Sequence, residues 1–297
     1  MHHYPTTGRK VFLAVNSVFL LVVALLCLLP IINILAVSLS SSAAAATGKV
    51  GLWPIDFTIS SYKFVGGRHE FFTSFFISVK RVLIGVPINM LLTILIAYPL
   101  SKEAARFRLR GVFVWFFLIT ILFNGGLIPW YMTIKQTGIL DSIWALILPG
   151  AVPVFNCILL LNFFRELPKE LEEAAIMDGA GHWTTLWKLF VPISVPAIAT
   201  LTLFSIVGHW NSWFDGLILM NKPQDYPLQS YLQTVIVKFD STLLNSVSSD
   251  QVKMLSQISN KTTQAAQIFI AALPILIVYP LLQRYFISGI VLGSVKG

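Results

Sequence analysis

The chain has 297 residues, of which 56% are hydrophobic and 11% charged, with mean hydropathy +0.77. Soluble domains carry roughly 25% charged residues, so this composition excludes a water-soluble globular surface and supplies apolar residues for several bilayer spans. The net charge of +8 does not read as nucleic-acid binding, because the basic residues lie in short runs beside apolar stretches, where such runs set membrane topology.

Arg9 and Lys10 precede an apolar run from Val11 to Val37, and Ala43 to Ala46 mimic a signal cleavage site. The run is far longer than the roughly 7–15 residues of a secretory h-region, which predicts a retained, tilted first span. A polar stretch, Ser38 to Glu70, follows. Phe71 to Arg81 is apolar but carries Lys80 and Arg81, each costing roughly 2.5–3.5 kcal/mol at mid-bilayer. It predicts a surface helix with its charges at the interface. The second span then runs Val82 to Leu100.

Four further spans are predicted. Gly111 to Ile134 is interrupted by Asn124-Gly125-Gly126 and Pro129, and Ile143 to Phe164 contains Pro149 and Pro153. Pro192 to Leu219 ends in polar and aromatic residues, and Ala265 to Tyr285 contains Pro274 and Pro280. Broken backbone at membrane depth is tolerated against protein or a water-filled cavity, so these four predict a pathway; ordinary Pro-kinked packing is the competing reading of each. The fold class predicted is an all-α integral membrane protein of about six transmembrane helices. Lys102, Arg106, Arg108 and Arg110 crowd one short loop, Arg9 and Lys10 precede the first span, and Arg284 and Lys296 follow the last. This density places both termini in the cytoplasm. Cys27 and Cys157 show no metal or redox spacing and read as inert packing residues.

Residues 165–191 form the loop between spans four and five. Pro168 suits the first position of a helix, and Glu170, Glu172 and Glu173 favour its positive dipole end. Gly179 is placed to end the helix in a left-handed cap. A second short helix is predicted from about His182 to Phe190, before Pro192 opens the fifth span. The small residues Ala174 and Ala175 permit close approach by a partner.

Glu173-Ala174-Ala175, Asp178-Gly179-Ala180 and Leu189-x-Val191-Pro192 resemble the EAA loop of ABC importer permeases. The Leu189 and Val191 positions depart slightly from the family's usual residues. Asn124 to Pro129, Trp210-Asn211-Ser212-Trp213, and the tail from Tyr285 to Gly297 are similar to the maltose-type carbohydrate permeases. They look most like the branch importing complex oligosaccharides, including alginate-like uronic-acid types. The resemblance implies the type I transmembrane domain of an ABC importer in the bacterial cytoplasmic membrane. It implies a homologous second permease, two ATP-binding subunits and an extracytoplasmic solute-binding protein as partners, besides membrane lipid. It implies that Glu172, Glu173, Ala174, Ala175, Asp178, Gly179 and Ala180 couple the chain to the ATPase. It also implies that the outer loop 221–264 reaches into the binding protein.

The chain therefore divides into residues 1–81, with the first span, outer loop and surface helix, and a permease core over 82–297. No phosphate-binding loop of the form G-x-x-x-x-G-K-S/T occurs, so ATP and Mg²⁺ are expected on partner subunits, with no cofactor, metal or catalytic residue on this chain. His182 reads as a packing residue. Asn124, His209, Trp210, Asn211 and Trp213 are candidate substrate-pathway residues, since ionisable groups within spans mark function and amides and aromatic rings bind sugars. The run from His209 fits an interfacial aromatic belt equally well. The competing functions are a permease for another sugar or small solute, and a secondary transporter, which would be expected to show coupling acids or repeats.

Overall fold

A computed structural model describes residues 7–103, 105–242 and 260–293; the tail Val295–Gly297 and residues 243–259 of the predicted outer loop lie outside the described residues. Every regular element among the described residues is helical. In chain order the helices are α1 (Thr7–Ser38), α2 (Ser42–Ala46), α3 (Ser60–Gly66), α4 (His69–Ser101), α5 (Arg110–Leu122), α6 (Leu127–Gln136), α7 (Ile143–Ile147) and α8 (Val154–Glu166). There follow α9 (Lys169–Met177), α10 (His182–Thr185), α11 (Val191–Ile193), α12 (Val195–Asn211), α13 (Phe214–Leu219), α14 (Leu228–Thr242) and α15 (Asn260–Gly293). A π-helical turn, Leu186–Phe190, joins α10 to α11.

Among the described residues, three helices are long and apolar enough to cross a membrane: α1, α4 and the segment Lys261–Leu281 of α15. Three bent pairs qualify only when their halves are taken together. These are α5 with α6, bent by 117°; α7 and its 3-10 extension with α8, bent by 44°; and the α10–α11 run with α12, bent by 81°. Counting each pair once gives the six spans that the sequence predicts. The sharpest break falls at Asn124-Gly125-Gly126, where Gly126 takes φ +87° and the Asn124 side chain accepts from the Gly126 amide at 2.9 Å. Pro274 and Pro280, by contrast, lie inside an unbroken α15.

The expected surface helix over Phe71–Arg81 is not a separate element. It is the first third of α4, 33 residues running unbroken to Ser101. Lys80 is exposed, whereas Arg81 turns inward and is only 4% exposed. The expectation priced Arg81 as an isolated charge; an acidic partner far along the chain removes that cost.

The chain divides into two compact units, residues 1–71 with 234–273, and residues 72–233 with 274–297. In the first, α1 buries only Ala36 and Ser38. An apolar helix exposed along its length is suited to lipid, so Cys27, exposed on it, is not a packing residue. The segment after α1 is tied back to its end: Ser41 N–H donates to Ile55 O at 3.0 Å and Thr58 N–H to Leu39 O at 2.9 Å. The Asn33 amide reaches Gly51 O at 2.7 Å.

In the second unit a core of Val86, Met90, Ile94, Ala97 and Tyr98 from α4 packs on Leu160 and Phe164 of α8, Phe190, and Leu201 of α12. Lipid tails are as apolar as these side chains, so the drive is close packing and polar pairing rather than escape from water. A smaller cluster joins Ile134 of α6, Ala145 and Leu146 of α7, and Leu219 of α13.

Candidate functional site

Two polar assemblies stand out in the second unit. The first is the loop after α8. Pro168 is the N-cap of α9, one residue earlier than expected, with ψ 129°. Glu170 and Glu172 lie in the first turn, where acids complement the helix dipole. At the other end Gly179 takes φ +79°. Its N–H donates to Ile176 O and the Ala180 N–H to Ala175 O, both at 2.9 Å. This pair of bonds is a Schellman closure, and it turns the chain directly into α10. A Cβ at Gly179 would meet nothing within 4 Å, so glycine is required there by backbone angle alone.

Neighbouring acids on α9 differ in exposure, although both border the same cavity. Glu173 is exposed. The Glu172 side chain is 15% exposed, and its Oε1 sits 2.9 Å from both Lys102 Nζ and Arg106 Nη1. Lys102 is held over the rings of Tyr98 at 4.0 Å and Phe190 at 4.1 Å, a cation–π arrangement. Burial pulls the Lys102 amine below its ordinary pKa, and the bond to Glu172 works against that fall. Lys169 bonds Glu103 at the surface, which holds the Glu103 carboxyl below and the Lys169 amine above their ordinary ranges. These groups, with Arg110 and Arg165, line a cavity of about 630 Å³.

The loop also exposes apolar side chains. Ile176, Met177 and Trp183 are open, Met177 being 87% exposed, and Ala174, Asp178 and His182 are exposed beside them. His182 is therefore not the packing residue expected, because α10 presents it outward. Ala175 and Ala180 are half-buried.

The second assembly surrounds the break in span four and the junction between α12 and α13. Arg81 pairs with Asp215 and donates to Leu146 O at 3.0 Å. Asn89 Nδ2 donates to Gly150 O at 2.8 Å and Ala151 O at 2.9 Å. Helix ends leave carbonyls without partners, and a bilayer offers no water to satisfy them; two α4 side chains supply the missing donors. His209 Nε2 lies 2.6 Å from Asn89 Oδ1. Arg81 Nε donates to His209 Nδ1 at 3.4 Å. Arginine only donates, so the imidazole carries its proton on Nε2 and gives it to Asn89. Asp215 also accepts from Ser212 Oγ at 2.7 Å and from the Gly216 amide at 2.9 Å. The walls of a cavity of about 430 Å³ include these residues, Trp130, Asn156 and Ser205.

The five candidate pathway residues do not converge. His209 is buried and spent on Asn89 and Arg81. Trp210 is 4% exposed, edge-on to Phe75 with centroids 5.6 Å apart. Asn124, Asn211 and Trp213 are exposed, at the breaks beside α5 and α12. Sequence reasoning missed Arg81, Asn89 and Asp215 as one network; the only local signal was a polar residue at each site within an apolar run. Among the described residues no cluster of His, Cys, Asp and Glu comes together as a metal-ligand set.

Residues 82–291 match the model of a family described as binding-protein-dependent transport system inner membrane component. The chain is 37% identical over 297 residues to Protein LplC of Bacillus subtilis, covering 100% of this chain and 98% of the relative. It is 36% identical over 285 residues to the polygalacturonan/rhamnogalacturonan transport system permease protein YtcP of the same organism, covering 94% and 96%. Among solved structures it superposes with TM-score 0.83 and 35% identity on a chain of a bacterial ABC transporter involved in the import of the acidic polysaccharide alginate. That match covers 95% of this chain and 99% of the other.

Proposed function

The chain belongs to the family of binding-protein-dependent transport system inner membrane components, and from that premise we propose that it imports carboxylate-bearing oligosaccharides. It is a multi-pass inner-membrane permease of a sugar ABC importer, and ATP hydrolysis resides on separate subunits. The family also implies a second permease and a solute-binding protein. The proposal concerns cargo and site. One relative is named for polygalacturonan/rhamnogalacturonan and one solved structure for alginate; these are different polymers that all carry uronate carboxylates, which supports the cargo reading.

The observation that carries the site reading is the Schellman-closed α9–α10 unit, which shows Glu173, Ala174, Met177 and Asp178 outward. In this reading it faces the cytoplasm with both termini, and the ATPase, carrying ATP and Mg²⁺, docks on it. Glu173, Ala174, Ala175, Asp178, Gly179 and Ala180 form the docking set. Asn124, Asn211 and Trp213 line the pathway toward the second permease. Trp210 serves the packing of α12, while His209 lines the cavity at its end.

The test of the cargo is calorimetric titration of the cognate solute-binding protein with trimers of galacturonate and of mannuronate, against maltotriose. Binding of either uronate trimer at least tenfold tighter than maltotriose, about 1.4 kcal/mol, is expected. Preference for maltotriose would overturn it.

A further inference from the structure

Resting on the reading of α9 as the helix that meets the ATPase, we infer that Glu172 is a positioning residue acting inside the chain. It fastens α9 to the inner end of α4, so that displacement of α9 is delivered to α4 through the Lys102–Glu172–Arg106 bridge.

Consecutive residues on an α-helix point about 100° apart, and on α9 that rotation separates two tasks. Glu173 points outward. Glu172 turns inward onto a lysine and an arginine, both at 2.9 Å. No short backbone path links α9 to α4, because α5 to α8 intervene in sequence. The side-chain bridge is a direct polar connection between them. Its far end is fixed: Lys102 lies between the rings of Tyr98 and Phe190. Those rings are 5.1 Å apart, and Phe164 meets Phe190 at 5.4 Å. The parallel strap from Lys169 to Glu103 has side chains 73% and 63% exposed. An exposed pair contributes little, so the half-buried bridge carries the link.

The element it pulls on is continuous. From Arg81 to Ser101 α4 runs unbroken, a rise of about 30 Å. Arg81 and Asn89 on that run hold the carbonyls at the end of α7 and in the turn before α8. Pro87 and Pro99 lie within this run, yet α4 stays one helix, so a shift of α9 delivered at Lys102 is felt at the break in span four and, through the Arg81–Asp215 pair, at the junction of α12 and α13.

The experiment uses the full importer, with its second permease and ATPase subunits, in nanodiscs. Hydrogen–deuterium exchange is followed in α9 and in residues 95–103, with and without a non-hydrolysable ATP analogue and Mg²⁺. This readout is independent of which sugar is carried. In the native complex the nucleotide changes exchange in both segments. With Glu172→Gln the change in α9 persists, while that in residues 95–103 falls about fivefold or more, as expected for loss of a partly buried charged link. Arg106→Gln alters only the exposed arm of the bridge, which leaves folding untouched, and gives an intermediate loss. If Glu172→Gln leaves the change in residues 95–103 intact, the inference is overturned. If it abolishes the change in α9 as well, Glu172 is part of the docking surface, and the inference is equally overturned. Absence of any change in native α9 would instead fail the docking reading on which it rests.

Discussion

Arg81 and Asp215, 134 positions apart in sequence, form a partly buried ion pair that joins the long helix α4 to the break between α12 and α13. The pair supplies a counter-charge to an arginine that is only 4% exposed on α4. Removing one partner strands the other charge, which costs up to roughly 3–5 kcal/mol where that charge is fully buried and less at the partly exposed Asp215. Arg81→Leu is therefore expected to lower thermal stability of the detergent-solubilised complex sharply. Arg81→Leu with Asp215→Leu should recover part of the loss. Thermal unfolding of the three variants checks this, and a double variant less stable than Arg81→Leu would contradict it.

Gly85 marks a close approach. A Cβ built there would lie 2.6 Å from His209 Nε2, the nitrogen that donates to Asn89. Gly85→Ala must push the imidazole away, and overpacking of this kind costs roughly 1–3 kcal/mol. The expected outcome is a lower unfolding temperature. Gly125→Ala, where a Cβ meets nothing within 4 Å, serves as the control and should change it little. Equal behaviour of the two variants would show that the His209 contact is slack.

Glu173 is exposed on α9, and a surface ion pair with an ATPase subunit is worth about 0–1 kcal/mol. Glu173→Ala is expected to reduce ATPase stimulation by less than about fivefold, with the complex still assembling. Pull-down of the ATPase through tagged permease, alongside hydrolysis rates, measures both. Complete loss of assembly would assign Glu173 a far larger role.

Much of the fold was legible because hydropathy reports span count directly: α1, α4 and α15 stand where long apolar runs stand. The loop was legible because its signals are local. Acids at 170 and 172 start α9, and Gly179 ends it. What the sequence hid was pairing at long range. Phe71–Arg81 read as a separate surface helix because Asp215, the partner of Arg81, is far along the chain, so the continuity of α4 was missed. Glu172 and Glu173 looked alike because only packing reveals that one meets Lys102. His209 and Trp210 stood out as polar and aromatic residues in a span, but their partners Asn89, Arg81 and Phe75 lie more than a hundred positions away and are invisible in a linear reading.

In the proposed function the α9–α10 loop links ATP hydrolysis to sugar movement. The most direct measurement is sugar uptake and binding-protein-stimulated ATPase in proteoliposomes carrying Gly179→Leu. Gly179 sits at φ +79°, where a side chain costs roughly 1–2 kcal/mol, and a leucine there would also hold the ATPase surface away. Both activities are predicted to fall at least about fivefold, while membrane insertion, which depends on the untouched spans, stays at native levels. Uptake and stimulated hydrolysis both near native levels would contradict the claim.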